Sequence, residues 1–316
     1  MIIGIWGSGL IGKSLATSLV GNGFSVLVLS RNLEFPHVYS GGMLQKRLMS
    51  FSNTESEMVK SLEGISVLIH CAGSANDDFA EFEIAANRLA KAAIRANVFR
   101  VIMISTVAVY GDDLGKLAQL SGPIGISTSF QPKPMTDYAQ SRYSAECGMR
   151  NILTNTGVEF VVVRIPMVIG QDMVSDLFKR LDRVLKFGYF PVLGSPTASL
   201  PCICLGKLVN NLTLLINQVK LDKNVYQFSQ CLLWSTIIES YTKINNKNIC
   251  LISFPGKLIF HVINFLGFLR LKNILKILIN ETVFLDDSSM LLGLGKKTSS
   301  ITYLYPDDDL HKILWS

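Results

Sequence analysis

Tyr138 and Arg142 stand four residues apart in Tyr138-Ala-Gln-Ser-Arg142, a spacing that places a phenol and a cation on one face of a helix. A fixed positive charge beside a phenol favours the phenolate. Such a tyrosine can move a proton nearer neutral pH than a free phenol, whose pKa is about 10. Upstream, the segment Ile104-Ser-Thr-Val-Ala-Val-Tyr110-Gly111 offers the Thr106 hydroxyl as a further hydrogen-bonding group. A phenol, a hydroxyl and a cation arranged in this way suit hydride transfer to or from a carbinol carbon.

Hydride chemistry needs a carrier, and the start of the chain supplies a place for one. Gly7-Ser-Gly9-Leu-Ile-Gly12 lies between an apolar strand, Ile2–Trp6, and a helix, Leu10–Val20, which is where a dinucleotide fingerprint belongs. Gly7 allows the tight turn, Gly9 lets a pyrophosphate approach the backbone, and Gly12 lets helix and strand pack closely. The first helical residues, Leu10 and Ile11, present N–H groups and the positive end of the helix dipole to the phosphates. The second strand, Ser25–Leu29, runs into Ser30-Arg31-Asn32 with no acidic residue for a ribose 2′-hydroxyl. Arg31 suits a 2′-phosphate instead, which favours NADP and leaves NAD open. Cys71-Ala72-Gly73 follows another buried strand, and these small residues let backbone pass close to the adenosine or pyrophosphate. An ordinary strand-to-loop turn reads the same way.

These residues need a scaffold that carries them to one place. The first half of the chain alternates short apolar runs with helical stretches, as a parallel α/β sheet does. Strands are expected at Ile2–Trp6, Ser25–Leu29, Val67–Cys71, Arg100–Ser105 and Glu159–Arg164, and helices at Leu10–Val20, Phe82–Ala96 and Met135–Leu153. After Pro166 the alternation fades into helices at Val174–Lys186, Lys207–Gln218, Leu233–Thr242 and Lys257–Leu269, joined by short strands. The expected fold class is therefore α/β, a Rossmann-type doubly wound parallel sheet with a smaller C-terminal α+β substrate-binding lobe. The division falls at residues 1–166 and 167–316, the two parts packing as one unit.

Composition narrows the classes. The 316 residues carry 30 Lys and Arg against 24 Asp and Glu, a net charge of +6 with no dense basic run, which argues against a nucleic-acid partner and suits an anionic substrate. Of six cysteines only Cys202 and Cys204 are close, and the four histidines are scattered, so no metal site is expected. Reduced thiols point to the cytoplasm. The N-terminus runs straight into a strand with no basic region before it, so no signal peptide is expected. Leu251–Leu271 is rich in Leu, Ile and Phe but interrupted by Pro255, Lys257, His261 and Arg270. It reads as a core or lid helix, or as a peripheral membrane contact, rather than as a span.

Taken together, the chain resembles the extended short-chain dehydrogenase/reductases, the NAD(P)-dependent epimerase/dehydratase superfamily acting on nucleotide sugars. The resemblance rests on the glycine motif, His70-Cys-Ala72, Ile104–Gly111, Tyr138–Arg142 with Glu146 behind it, and Arg164-Ile-Pro-Met-Val-Ile-Gly170. It implies that Thr106 is the catalytic hydroxyl, Tyr138 the general acid/base, and Arg142 the counterpart of the family's lysine, which biases the tyrosine and bonds the nicotinamide ribose. Pro166 falls where relatives pass the nicotinamide. Arginine keeps the charge but is planar and too basic to relay a proton. The compact glycine pattern, Trp6 at a position where a small residue is common, and Gly206 in place of an acid are further departures. In the C-terminal half, Phe190-Pro-Val-Leu-Gly194 and Val283-Phe-Leu-Asp-Asp287 resemble bacterial O-antigen and capsule enzymes. The implied activity is 4-keto reduction, or C4 epimerisation, of a UDP-N-acetylhexosamine derivative in surface polysaccharide biosynthesis. A dinucleotide-binding pseudoenzyme, scaffold or redox sensor is the competing expectation, raised by Arg142. A homodimer built through two helices is common among such proteins.

Overall fold

A computed structural model describes residues 1–31, 43–73, 78–111, 125–170, 176–193, 199–254 and 283–291. The first strand, β1 (Ile2–Trp6), is apolar and buried on both sides, as a central parallel strand must be. It feeds α1 (Leu10–Gly21), β2 (Ser25–Ser30) and the short, partly exposed β3 (Leu44–Leu48). There follow α2 (Glu55–Leu62), β4 (Ile65–His70), α3 (Phe79–Arg95), β5 (Arg100–Thr106) and a single 3-10 turn, Val107–Tyr110. Next come β6 (Gly125–Ile126), α4 (Asp137–Leu153), β7 (Glu159–Ile165) and β8 (Met167–Ile169).

Side chains specify several of these boundaries. The Thr54 hydroxyl accepts from the Glu57 backbone N–H while the Glu57 carboxylate takes the Thr54 N–H, a reciprocal cap at the start of α2. Asp78 caps α3 through the N–H groups of Ala80 and Glu81. That cap starts the helix at Phe79 rather than at the Phe82 expected from the apolar pattern. Thr136 accepts from the Ala139 N–H at 3.2 Å and starts α4 at Asp137, two residues later than expected.

The seven strands run parallel in the order β11-β7-β5-β4-β1-β2-β3, where β11 (Val225–Gln227) returns from far along the chain to pair with β7. The order reverses between β1 and β4, leaving a crevice at the carboxyl ends of those strands. Each face has its own core. Ile3, Ile5, Val26, Val28 and Ile102 pack under α1 and the later α6 (Leu205–Asn217), whereas Trp6, Leu27, Leu68, Val101 and Met103 pack under α2, α3 and α4. The doubly wound expectation is met.

The remaining described elements are α5 (Asp176–Leu185), β9 (Tyr189–Leu193), β10 (Ser199–Cys204), β12 (Gln230–Leu233), α7 (Trp234–Asn245), β13 (Cys250–Phe254), β14 (Val283–Phe284) and α8 (Ser288–Leu291). They form three small sheets, β12-β10-β8, β13-β9 and β14-β6. Two buried carboxylates stitch the last described segment to the rest. Asp286 takes Lys207 Nζ at 2.8 Å, and Asp287 takes Lys223 Nζ at 3.0 Å and the Gln227 N–H at 2.9 Å. The helix expected at Lys257–Leu269 lies outside the described residues, as does most of Leu251–Leu271. Among the described residues no helix is long and apolar enough to cross a membrane.

Candidate active site

The glycines named from the sequence converge on one turn. Gly7 adopts φ +122°, and a Cβ there would lie 2.7 Å from the Ala72 nitrogen and 2.8 Å from the Cys71 carbonyl carbon. Gly7 therefore allows β1 and the end of β4 to approach backbone to backbone. A Cβ on Gly12 would lie 1.9 Å from the Gly7 carbonyl oxygen, so α1 can leave this turn only from a glycine. Gly9, the N-cap of α1, has nothing within 4 Å of a Cβ position. The cradle is thus closed beneath Gly7 and Gly12 and open at Gly9, with Leu10 and Ile11 beginning the helix. This shape fits a pyrophosphate approaching the helix N-terminus. Burial pushes the Cys71 thiol, next to the turn, up to about 12, so it stays protonated. Arg31 is exposed directly after β2, while Asn32 lies outside the described residues.

Thr106 ends β5 and pairs in register with Ile165, the last residue of β7, so Thr106 and Pro166 share the same sheet edge. The Thr106 Oγ1 accepts from the Ala108 N–H at 3.1 Å, which caps the 3-10 turn and leaves its own proton to donate. The loop leading to α4 docks on that turn. The Lys133 N–H donates to the Val109 carbonyl at 2.8 Å, and Gly111, at φ +82°, admits the Lys133 carbonyl where a Cβ would stand 2.3 Å away. This contact brings the start of α4, with Tyr138, to the turn that begins at Thr106.

Arg142 lies one helical turn below Tyr138 and is only 4% exposed. Its guanidinium carbon sits 5.1 Å from the centre of the Tyr138 ring and 3.6 Å from that of Phe82. It also reaches the loop that follows β4. Gly73, at φ +107°, passes so close that a Cβ would meet both terminal guanidinium nitrogens at 2.8 Å. Arg142 is thus the side chain joining the Tyr138 end to the Cys71-Ala72-Gly73 end. Beneath it the aromatic row continues. His70 stacks on Phe82 at 5.5 Å and on Trp6 at 4.6 Å, with ring planes 27° and 23° apart. Burial, aided by the charge of Arg142, lowers the His70 pKa to about 3, so this imidazole is neutral under all ordinary conditions.

A second group of buried polar residues lies in the segments quoted from the sequence, but their pairing was not evident there. Ser105 Oγ donates to Glu146 Oε1 at 2.5 Å, while Arg164 reaches Glu146 with Nε at 3.2 Å and Nη2 at 2.7 Å. Arg164 Nη1 also donates to the Tyr110 hydroxyl at 3.0 Å. Burial opposes the Arg164 charge, but Glu146 and Tyr110 outweigh it and raise its pKa above the usual range. Burial also pushes the Tyr110 phenol up, with Arg164 working in the opposite direction. This network ties β5, the 3-10 turn, α4 and β7 together immediately beneath Thr106. The available signal was a cation at Arg164 inside the apolar run Phe160–Ile165, since a charge is rarely buried without a partner.

Residues 2–198 match the NAD dependent epimerase/dehydratase family. The chain belongs to that family. It is accordingly an enzyme with the seven-stranded sheet of its class, and the glycine cradle and Tyr138 helix lie within the matched stretch. No curated protein sequence matches the chain. Among solved structures it is similar to WbmG of Bordetella bronchiseptica in complex with NAD, at TM-score 0.69 and 18% identity, covering 100% of this chain and 93% of that one. It is also similar to MoeE5 in complex with UDP-glucuronic acid and NAD, at TM-score 0.68 and 19% identity over 99% and 96%. A third similar structure is UDP-glucuronic acid 4-epimerase from Bacillus cereus in complex with NAD, at TM-score 0.65 and 17% identity over 100% and 96%. At these identities the likeness is one of fold.

Proposed function

We propose that this enzyme reduces the 4-keto group of a UDP-N-acetylhexosamine derivative, or epimerises such a sugar at C4, in surface polysaccharide biosynthesis. The observation that carries the reading is the position of Arg142, in contact with Gly73 at the cofactor end and beside Tyr138 at the catalytic end. Gly7, Gly9, Leu10, Ile11 and Gly12 would hold the pyrophosphate of a nicotinamide dinucleotide, with Cys71, Ala72 and Gly73 beside the adenosine or pyrophosphate and Pro166 near the nicotinamide. The bound dinucleotide supplies or accepts the hydride. Tyr138 passes the proton to or from the sugar oxygen, Thr106 donates a hydrogen bond to that oxygen, and Arg142 orients Tyr138 and the ribose. Exposed Arg31 favours NADP, whereas the similar structures named above hold NAD. NADP favours net reduction, and a tightly held, recycled NAD favours epimerisation.

The family and the similar sugar-nucleotide enzymes support this reading, as does the open cradle at Gly9. The division at residues 1–166 and 167–316, with α6 and β11 crossing back to the main sheet and the rest of the later part forming the sugar pocket, belongs to the same proposal. So do the cytoplasmic location, a homodimer and peripheral membrane contact through residues 251–271, which sedimentation with and without vesicles would test. The deciding experiment follows NADPH oxidation with a UDP-4-keto-6-deoxy-N-acetylhexosamine in wild type and Tyr138→Phe. Turnover that falls on the order of 10²–10⁴-fold in the variant supports the reductase. With a 4-hydroxy UDP-N-acetylhexosamine as substrate instead, C4 inversion on recycled, bound NAD supports the epimerase. Dinucleotide binding with turnover of neither the 4-keto nor the 4-hydroxy sugar overturns both in favour of a pseudoenzyme.

A further inference from the structure

We propose that Phe82 is a positioning residue for Arg142, and that the row Trp6, His70, Phe82 and Gly73 forms a seat built for a guanidinium rather than an ammonium. The inference rests on the reading of this edge as a dinucleotide site and goes beyond it. It reverses the expectation that an arginine at the lysine position is a handicap.

The geometry is that of a planar cation on a ring. The Arg142 guanidinium carbon lies 3.6 Å from the Phe82 centroid, close enough for face-on contact. Its two terminal nitrogens lie against Gly73, whose missing side chain gives them room. Phe82 itself is fixed on both sides of the problem. His70 stacks on it, Trp6 stacks on His70, and Phe51 stands edge-on to both Trp6 and Phe82 at 83° and 82°. These rings come from the ends of β1 and β4, the start of α3 and the loop before α2, so the seat is part of the core. The neutral His70 adds no competing charge beneath the cation.

Lysine would not fill this seat. Its ammonium is a compact, strongly hydrated point charge that lacks the flat face offered to Phe82 and the fork that reaches along Gly73. Arginine on a braced ring has few orientations left. It can therefore present its donors to one place, between Tyr138 and the Gly73 backbone, at a small entropic cost. Trp6, His70 and Phe82 then act through Arg142 and need no contact with the reacting atoms.

The test is a double-mutant cycle on the dissociation constant of reduced dinucleotide, read by nicotinamide fluorescence, with kcat and KM measured where turnover is found. We expect Phe82→Leu to weaken binding about tenfold in wild type. In the Arg142→Lys background the same change should alter it less than about twofold. Phe82→Tyr, which keeps the ring face, should stay within about twofold of wild type. Arg142→Lys alone should bind more weakly and turn over more slowly than wild type, and that variant reads the proposal even should Phe82→Leu fail to fold. Equal losses from Phe82→Leu in both backgrounds, or a gain of affinity or turnover in Arg142→Lys, would overturn the inference while leaving the site reading intact. A wild-type protein that binds neither NADPH nor NADH would overturn both.

Discussion

Helix α4 carries one buried arginine and grips another from β7, and the two are held in different ways. Arg164, on β7, is gripped by the Glu146 carboxylate and by the Tyr110 hydroxyl, so its charge is matched inside the core. Arg142, on α4 itself, rests on the face of Phe82 and along Gly73, and points toward Tyr138. A guanidinium matched by a carboxylate serves the fold, because its field is largely cancelled where it sits. A guanidinium seated on a ring is fixed by its flat face, which sets where its edge is directed. The burial of the two is nearly the same, 3% and 4% exposed, so burial alone does not separate a charge gripped by a carboxylate from one seated on a ring.

Substitutions around each arginine separate the two modes of holding a buried cation. Glu146→Gln leaves Arg164 buried without its counter-charge and should cost about 3–5 kcal/mol in urea unfolding. A loss below about 1 kcal/mol would mean that Arg164 is not held mainly by Glu146. Tyr110→Phe removes one hydrogen bond to the same cation and should cost about 1.5–3 kcal/mol, a smaller effect on the same assay. On the other side of α4, His70 links stability to pH. Its pKa is about 3 in the fold against 6.5 in a free side chain, so between those values the unfolded chain binds the extra proton. Stability should therefore be full above pH 6.5 and fall as the pH drops, by about 1.4 kcal/mol per unit from this group alone. His70→Phe should flatten the slope between pH 6 and pH 4.5, and an unchanged slope would place the acid sensitivity elsewhere. Arg95, paired with Glu55 at 2.9 Å but 55% exposed, is the surface control. Arg95→Gln should shift stability by less than about 1 kcal/mol, in line with screened surface pairs.

Much of this architecture was legible before any coordinates. The parallel strands are apolar runs, and a strand buried on both faces can be little else. The Tyr138–Arg142 spacing and the glycine pattern are local, so the sequence states them directly. Partners brought from a distance were not legible. Nothing in the order of residues says that Phe82 will lie under Arg142, that Ser105 and Arg164 will share Glu146, or that β11 will return to extend the sheet beside β7. The edge strand β3, Leu44-Gln-Lys-Arg-Leu48, carries three polar residues in five and has neither a buried face nor a hydrophobic alternation to betray it. Helix starts moved for a similar reason, since side-chain caps at Asp78 and Thr136 outrank the first apolar residue in deciding where a helix begins.

The most direct test of the account is a fluorescence titration of reduced dinucleotide into Arg142→Met, with Arg164→Met and wild type measured beside it. The account predicts that Arg142→Met unfolds near the wild-type midpoint but binds dinucleotide at least about tenfold more weakly, whereas Arg164→Met loses its stability first. A wild-type affinity in Arg142→Met would contradict the claim that this seated cation serves the site.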